Sequence, residues 1–191
     1  MRFFPRLTLA IGMPGAYINH LISRLVHEKG CVILWPEQNI KVTDGKRFLT
    51  ENLQNIEVHN IHKNIIRNFS SYNSDDLFCD YYPIPNPDDV FPGPKEFLSR
   101  FKWSSNVVVS DNLLLPFLHL WLPYAHKVYE IDSSEEEDLE ALKKWTRGEK
   151  DVEELKRIRK VFAQRSQKAL FEARVKPAVI IPNSRISQVT L

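Results

Sequence analysis

Residues 7–35 pack an apolar run, a helical pattern and a second apolar run into one short stretch, and that order constrains the fold more than anything else in the chain. Residues 7–11, Leu-Thr-Leu-Ala-Ile, are short, apolar and ended by Gly12, which reads as a buried strand. Ile18, Leu21, Ile22, Leu25 and Val26 recur at i, i+3, i+4, i+7 and i+8, so residues 17–29 predict a helix with one apolar stripe. Gly30 stands at the expected C-terminal cap. Residues 31–35 read as a second buried strand, closed by Pro36. Two such strands joined by one helix run parallel, with a right-handed crossover.

The alternation continues along the chain. Residues 44–55 predict a helix, with Phe48, Leu49, Asn52 and Leu53 at helical spacing. Residues 56–58 suit a short strand, 61–69 a helix and 94–101 a short helix. Residues 106–110 are a β-branched run and predict a strand. Residues 113–122 are apolar nearly all round, the pattern of a buried helix, and 127–131 predict the next strand. Ser134 lies three residues before Glu137, a capping-box spacing, and the acids at 135–138 crowd the first turn, where the helix dipole favours them. That acidic run is a helix start, not a metal site, and the helix should reach Thr146 before Gly148 breaks it. Residues 151–174 predict the longest helix, with Val152, Leu155, Ile158, Phe162, Ala169, Leu170 and Ala173 inward, and 178–181 a last strand.

The expected class is therefore α/β, a mostly parallel sheet flanked by helices in three layers, as one domain over residues 1–191. Residues 70–94 stand apart. Pro83, Pro85, Pro87, Pro92 and Pro94 punctuate them, with Phe78, Tyr81, Tyr82 and Phe91 interleaved. They suit either a substrate loop or a structural loop pinned by its aromatics.

Composition narrows the class further. Two cysteines, Cys31 and Cys79, are too few for a disulfide scaffold, so a reducing, cytoplasmic setting is expected. No apolar stretch approaches the roughly 20 residues that span a bilayer. Residues 1–11 imitate a signal peptide only faintly, because the pattern runs on into a helix. Residues 141–191 hold 13 Lys and Arg against 5 Asp and Glu, a net +8, while residues 1–140 hold 13 against 19, a net −6. The basic third reads as the solvated face of a long helix rather than a nucleic-acid surface.

In parallel sheets ligands bind at the carboxyl ends of the strands. That rule singles out residues 12–19, Glu37, Asp111, and the Asp132-Ser133 pair. A nucleotide-triphosphate loop of the form G-x-x-x-x-G-K-S/T would begin at Gly12, but it would place Tyr17, Ile18 and Asn19 at its second glycine, lysine and hydroxyl positions. An ATPase or kinase is thus not expected. What remains is a turn feeding backbone N–H groups at a helix N-terminus, which attracts anions. The His59-x-x-His62 pair has ligand spacing but no evident third ligand, and no metal is expected. His119 and His126 flank an apolar helix and are expected to cap it or satisfy core groups, and Cys31 to be a packed thiol.

The segment from Ile11 to Asn19, with the residues Val107 to Phe117 and Lys127 to Ser134, resembles the sulfotransferase branch of P-loop proteins. That family carries a strand, a loop P-R/K-S-G-T-S/T, a helix and a strand, then a strand ending near K-D-P and another leading to R-x-P. Pro14 matches the loop proline and Asp111 the acid of K-D-P. Gly15, Ala16, Tyr17, Ile18 and Asn19 replace the basic, serine, glycine and two hydroxyl residues; Ser110 replaces the lysine and Asp132 the arginine. The resemblance implies sulfuryl transfer from PAPS, without a metal, to an acceptor that it does not name. It also implies a donor held by Gly12, Pro14, Gly15, Ala16, Tyr17 and Asn19, with PAP as product. His20, Asp111 and Glu37 are the candidate bases near that loop. The alternative is a catalytically inactive fold of the same type that acts as a binding or interaction protein, through the proline- and aromatic-rich segment 70–94 or the basic helix 151–174, with a small-molecule or anionic ligand expected in either case.

Overall fold

The computed structural model describes residues 4–14, 18–32, 40–43, 46–49, 56–69, 89–182 and Leu191. Strand β1 (Arg6–Ile11) leads through α1 (Ile18–Lys29) to Val32, which bridges in parallel to Val107. A hairpin of β2 (Ile40–Thr43) and β3 (Lys46–Leu49) precedes α2 (Ile56–Phe69) and the short α3 (Pro94–Leu98). Strand β4 (Asn106–Val109) runs into α4 (Leu118–Trp121), which has a 3-10 turn on either side. Then follow β5 (Ala125–Asp132), α5 (Glu135–Trp145), α6 (Val152–Glu172) and β6 (Val179–Pro182).

β1, β4, β5 and β6 form one parallel sheet in the order β4-β1-β5-β6, with Val32 beyond β4. The α/β class expected from the alternation is the one observed. β1 sits between two partners, so both of its edges are hydrogen-bonded. Its crossover through α1 runs towards β4, whereas the crossover from β4 to β5 runs the other way. The two lie on opposite faces, as a common hand for both requires.

Side-chain alternation along the strands divides the core accordingly. Leu7, Leu9, Ile11, Val107, Val109 and Val128 pack under α2, α3, α4 and α6. Ala10, Val108, Tyr129, Ile131 and Ile181 point the other way, where α1 lays down Ile18, Leu21, Ile22 and Leu25. Gly30 ends α1 at φ +63°, and the Cys31 N–H bonds back to the Leu25 carbonyl, which closes the helix as a glycine C-cap does. Ser134 and Glu137 form the expected capping box on α5, and Thr146 and Gly148 close that helix.

Several elements differ from the expectation. Of residues 44–55, expected as a helix, 46–49 form β3, paired antiparallel with β2 from the Ile40–Leu49 pair to the Thr43–Lys46 pair, and the other eight residues lie outside the described residues. Asp-Gly between two such strands is a strong hairpin signal in the sequence. The strand expected at 56–58 is the first turn of α2: Val58, Ile61, His62, Ile65 and Ile66 are one buried helical stripe. The helix expected at 113–122 is broken into 3-10, α and 3-10 turns, with Pro116 and Pro123 each opening a 3-10 turn. The inner stripe of α6 holds from Leu155 to Leu170, with Ser166 added, but Val152 and Ala173 are exposed at its ends. Residues 33–35 of the expected second strand and 70–88 of the proline-rich segment lie outside the described residues.

Several basic residues of α6 are engaged in ion pairs, among them Lys156–Glu153 at 2.9 Å and Arg159–Asp138 at 2.7 Å, and Lys150, just before the helix, pairs with Glu154 at 2.7 Å. Among the described residues no helix is long and apolar enough to cross a membrane. Phe162, fully buried on α6 and 6.2 Å from the Trp145 ring centre, joins α5 and α6 to the sheet. Phe162→Ala should lower the unfolding free energy by about 4 kcal/mol. Lys160→Ala, on the exposed side of the same helix, should change it by less than about 0.5 kcal/mol, as read from urea denaturation.

Candidate active site

The strand ends place the sequence candidates. Gly12, Met13 and Pro14 follow β1 and are buried. A Cβ on Gly12 would lie 3.3 Å from the Ile131 Cβ and 3.4 Å from the Ile18 side chain, so the exit of β1 is pressed between β5 and α1. Asn19 and His20 are exposed in the first turn of α1. Gly15, Ala16, Tyr17 and Glu37 lie outside the described residues. Asp132 is exposed at the end of β5.

Asp111, two residues beyond β4, carries the site. Its side chain is wholly buried, and three N–H groups converge on it. His59 Nδ1 lies 2.8 Å from Oδ1, His62 Nδ1 lies 2.7 Å from Oδ2, and the Leu113 backbone N–H donates to Oδ2 at 3.1 Å. The stripe of α2 explains the pair. Val58, Ile61, Ile65 and Ile66 hold the helix on the sheet, and His59 and His62, three residues apart, are thereby aimed at one point.

The hydrogen bonds fix the protonation of one ring. The Trp121 indole N–H donates to His62 Nε2 at 2.9 Å, so that nitrogen is an acceptor and the proton sits on Nδ1, facing Asp111. His62 is neutral, fully buried, and stacked on Phe117 with ring centres 5.0 Å apart. His59 differs. Its side chain is 23% exposed, its Nδ1 is held by Asp111, and its Nε2 has no hydrogen-bond partner among the described residues. Burial pushes the Asp111 carboxyl up, but the hydrogen bonds from His59 and His62 outweigh it and hold the group below the usual carboxylate range. An ionised carboxylate behind Nδ1 of a half-open histidine is the arrangement of an oriented general base.

This recasts two expectations. The acceptor shared by His59 and His62 is Asp111, through hydrogen bonds, and His62 has both nitrogens engaged, so it cannot ligate a metal. Among the described residues no group of three or more His, Cys, Asp or Glu side chains is arranged to hold a metal ion. Glu57, expected on a strand, is in the first turn of α2 and pairs with Arg100 at 2.6 Å. His126 is exposed and serves no core group, whereas Cys31 is the buried thiol expected, its pKa raised by burial against the pull of Lys127 and Lys29. The structure does not unite the candidate bases: α1, which carries His20, and α2, which supplies the partners of Asp111, cover opposite faces of the sheet.

A second polar cluster follows β5. Asp138 accepts from the Ser133 hydroxyl and, at 2.7 Å, from Arg159 Nε, while Glu135 lies 3.7 Å from the same guanidinium. These bonds tie α5 to α6 and leave Asp138 no free oxygen, so the cluster is structural.

Sequence reasoning named Asp111 and His59 separately but did not join them. The signal was there: two histidines in the stripe of an amphipathic helix, and an acid just past a buried strand. No protein-family model matches the sequence, and no curated protein matches it.

Asp111→Asn offers one acceptor oxygen where two imidazoles and the Leu113 backbone N–H point. His62 is locked by Trp121, so His59 must take the other tautomer or lose its bond. The variant should unfold about 3 kcal/mol more easily at pH 7. A carboxyl held below its ordinary value stabilises fully above about pH 4, and that stabilisation is lost as the pH falls further. The gap between wild type and variant in urea unfolding should therefore be full at pH 7 and pH 5 and shrink at pH 3; a constant gap would show that Asp111 is not ionised in the folded chain.

Proposed function

We propose that the chain is a group transferase of the P-loop sulfotransferase-like type, with His59 as its base and Asp111 as the residue that orients it. The observation that carries the reading is the 2.8 Å contact between His59 Nδ1 and buried Asp111 at the carboxyl end of β4. β4 is hydrogen-bonded to β1, whose exit turn at Gly12 and Pro14 leads to the N-terminus of α1. Neighbouring strands lie about 4.8 Å apart, so the turn and the dyad share one edge of the sheet.

In this reading the turn and the first backbone N–H groups of α1 hold the phosphate end of the donor, PAPS. His59 Nε2 takes the proton of the acceptor's hydroxyl or amine. The acceptor atom forms a bond to sulfur, the bond from sulfur to the phosphate oxygen breaks, and PAP leaves. Asp111 stabilises the imidazolium that forms, as an acid behind a catalytic histidine does. The exposed Asp132 argues against a 3′-phosphate beside β5, because an acid repels a dianion. The donor then lies on the β1 side of that edge.

A second reading, a non-catalytic binding protein of the same fold, draws on Phe91 and Trp103, exposed apolar side chains on either side of α3.

Calorimetric titration with PAP separates the two. Saturable binding with a Kd at or below about 1 mM is expected for the transferase. His59→Ala should then leave PAP affinity unchanged and slow sulfuryl transfer by about 10²–10⁴-fold. No heat with millimolar PAP removes the transferase reading.

A further inference from the structure

We propose that a second cavity, at the amino-terminal edge of the sheet, binds the phosphate or sulfate group of a small anion. This cavity of about 170 Å³ lies on the α1 face, at the end of the sheet away from the turn and the dyad. Its floor is Leu25 with the hydroxyls of Thr8 and Tyr129, and its rim carries Arg6, Lys29, His126 and Lys127.

Three observations point to a ligand. First, the charge is one-sided. No carboxylate lines the cavity, and none of the four rim groups forms an ion pair among the described residues, although the chain pairs many of its other cations. Arg6, Lys29 and Lys127, gathered round one depression, repel each other, and an anion between them relieves that repulsion. Secondly, the floor is polar where burial would select apolar groups. Thr8 and Tyr129 are 7% and 3% exposed, yet neither hydroxyl has a hydrogen-bond partner among the described residues. Both hydroxyls open into the cavity, where each can donate a hydrogen bond to an oxyanion in place of water. Thirdly, the backbone bends to build the rim. Leu7 pairs with Ala125 but Thr8 pairs with Lys127, so β5 carries one extra residue there. The irregularity brings the consecutive His126 and Lys127 to the same cavity, where a regular strand would send them to opposite faces.

The opposing field is modest. α1 ends here, and its carbonyl end is negative, but the Cys31 N–H caps the Leu25 carbonyl and Lys29 occupies the last turn. Both Lys29 and Lys127 act on the Cys31 thiol, which places the two ammonium groups on the same side of the sheet. A depression of about 170 Å³ has room for one tetrahedral oxyanion.

Calorimetry of the full chain at low ionic strength, with inorganic pyrophosphate, phosphate and sulfate as probes, tests this. One-to-one saturable binding of pyrophosphate is expected, with weaker binding of phosphate. Arg6→Gln with Lys127→Gln should weaken it about tenfold or more. Tyr129→Phe, which keeps every charge and nearly all the core volume, should weaken it about two- to tenfold, and Thr8→Val serves the same purpose if Tyr129→Phe does not fold. Sulfate matching phosphate assigns any tetrahedral oxyanion; a preference for phosphate assigns a phosphomonoester. The inference is overturned by absence of saturable heat at millimolar pyrophosphate. It is equally overturned if the charge variant weakens binding while neither floor variant does, since that is loose attraction to a basic patch. The charge variant should retain sulfuryl transfer, so this site and the carboxyl-edge reading fail separately.

Discussion

A carboxylate without solvent sets the terms for the rest of this molecule. Burying an unpaired charge costs several kcal/mol, so Asp111 can stay ionised only if donors surround it. Those donors come from different parts of the chain: His59 and His62 from α2, and the Leu113 N–H from the turn that follows β4. The position of α2 on the sheet, the course of the chain after β4 and the rotamer of Trp121 are thus settled together. Trp121 then separates the roles of the two histidines. By donating to His62 Nε2 it commits that ring to the core, and His59 alone keeps a nitrogen for chemistry.

The same dependence explains what could be read in the sequence and what could not. Local, periodic signals survived. The stripe of α1, the Gly30 cap and the Ser134–Glu137 box each depend on residues within one or two turns, and each appears as expected. The errors arose where two local signals competed. Phe48, Leu49 and Leu53 have helical spacing, but Asp44-Gly45 follows the β-branched run Ile40–Thr43, and Lys46–Leu49 pairs with that run as a strand. In residues 113–122 the apolar content gave burial correctly, whereas the two prolines decided the local geometry. The dyad was illegible for a different reason. His59 and Asp111 are 52 positions apart, and only the packing of α2 across the sheet brings them within hydrogen-bond reach.

A parallel sheet has two chemically distinct edges, and among the described residues they carry opposite charge. At the carboxyl edge stand Asp111 and Asp132. At the amino edge stand Arg6, His126 and Lys127, joined by Lys29 because α1 runs back against the strands. The fixed acids at the carboxyl edge restrict what can bind there. An anionic donor is repelled on the β5 side by Asp132, and on the β4 side it meets the buried charge of Asp111 screened by two imidazoles. In the proposed reading the donor's phosphate sits at the exit of β1, where Gly12 is in tight contact with Ile131 and Ile18 and leads to the N-terminus of α1. His59, the base in the proposed reading, lies one strand away, on the face covered by α2. Under that reading a transfer reaction at this edge would have its donor and its base on either side of the β1–β4 pair, and the acceptor would enter between them.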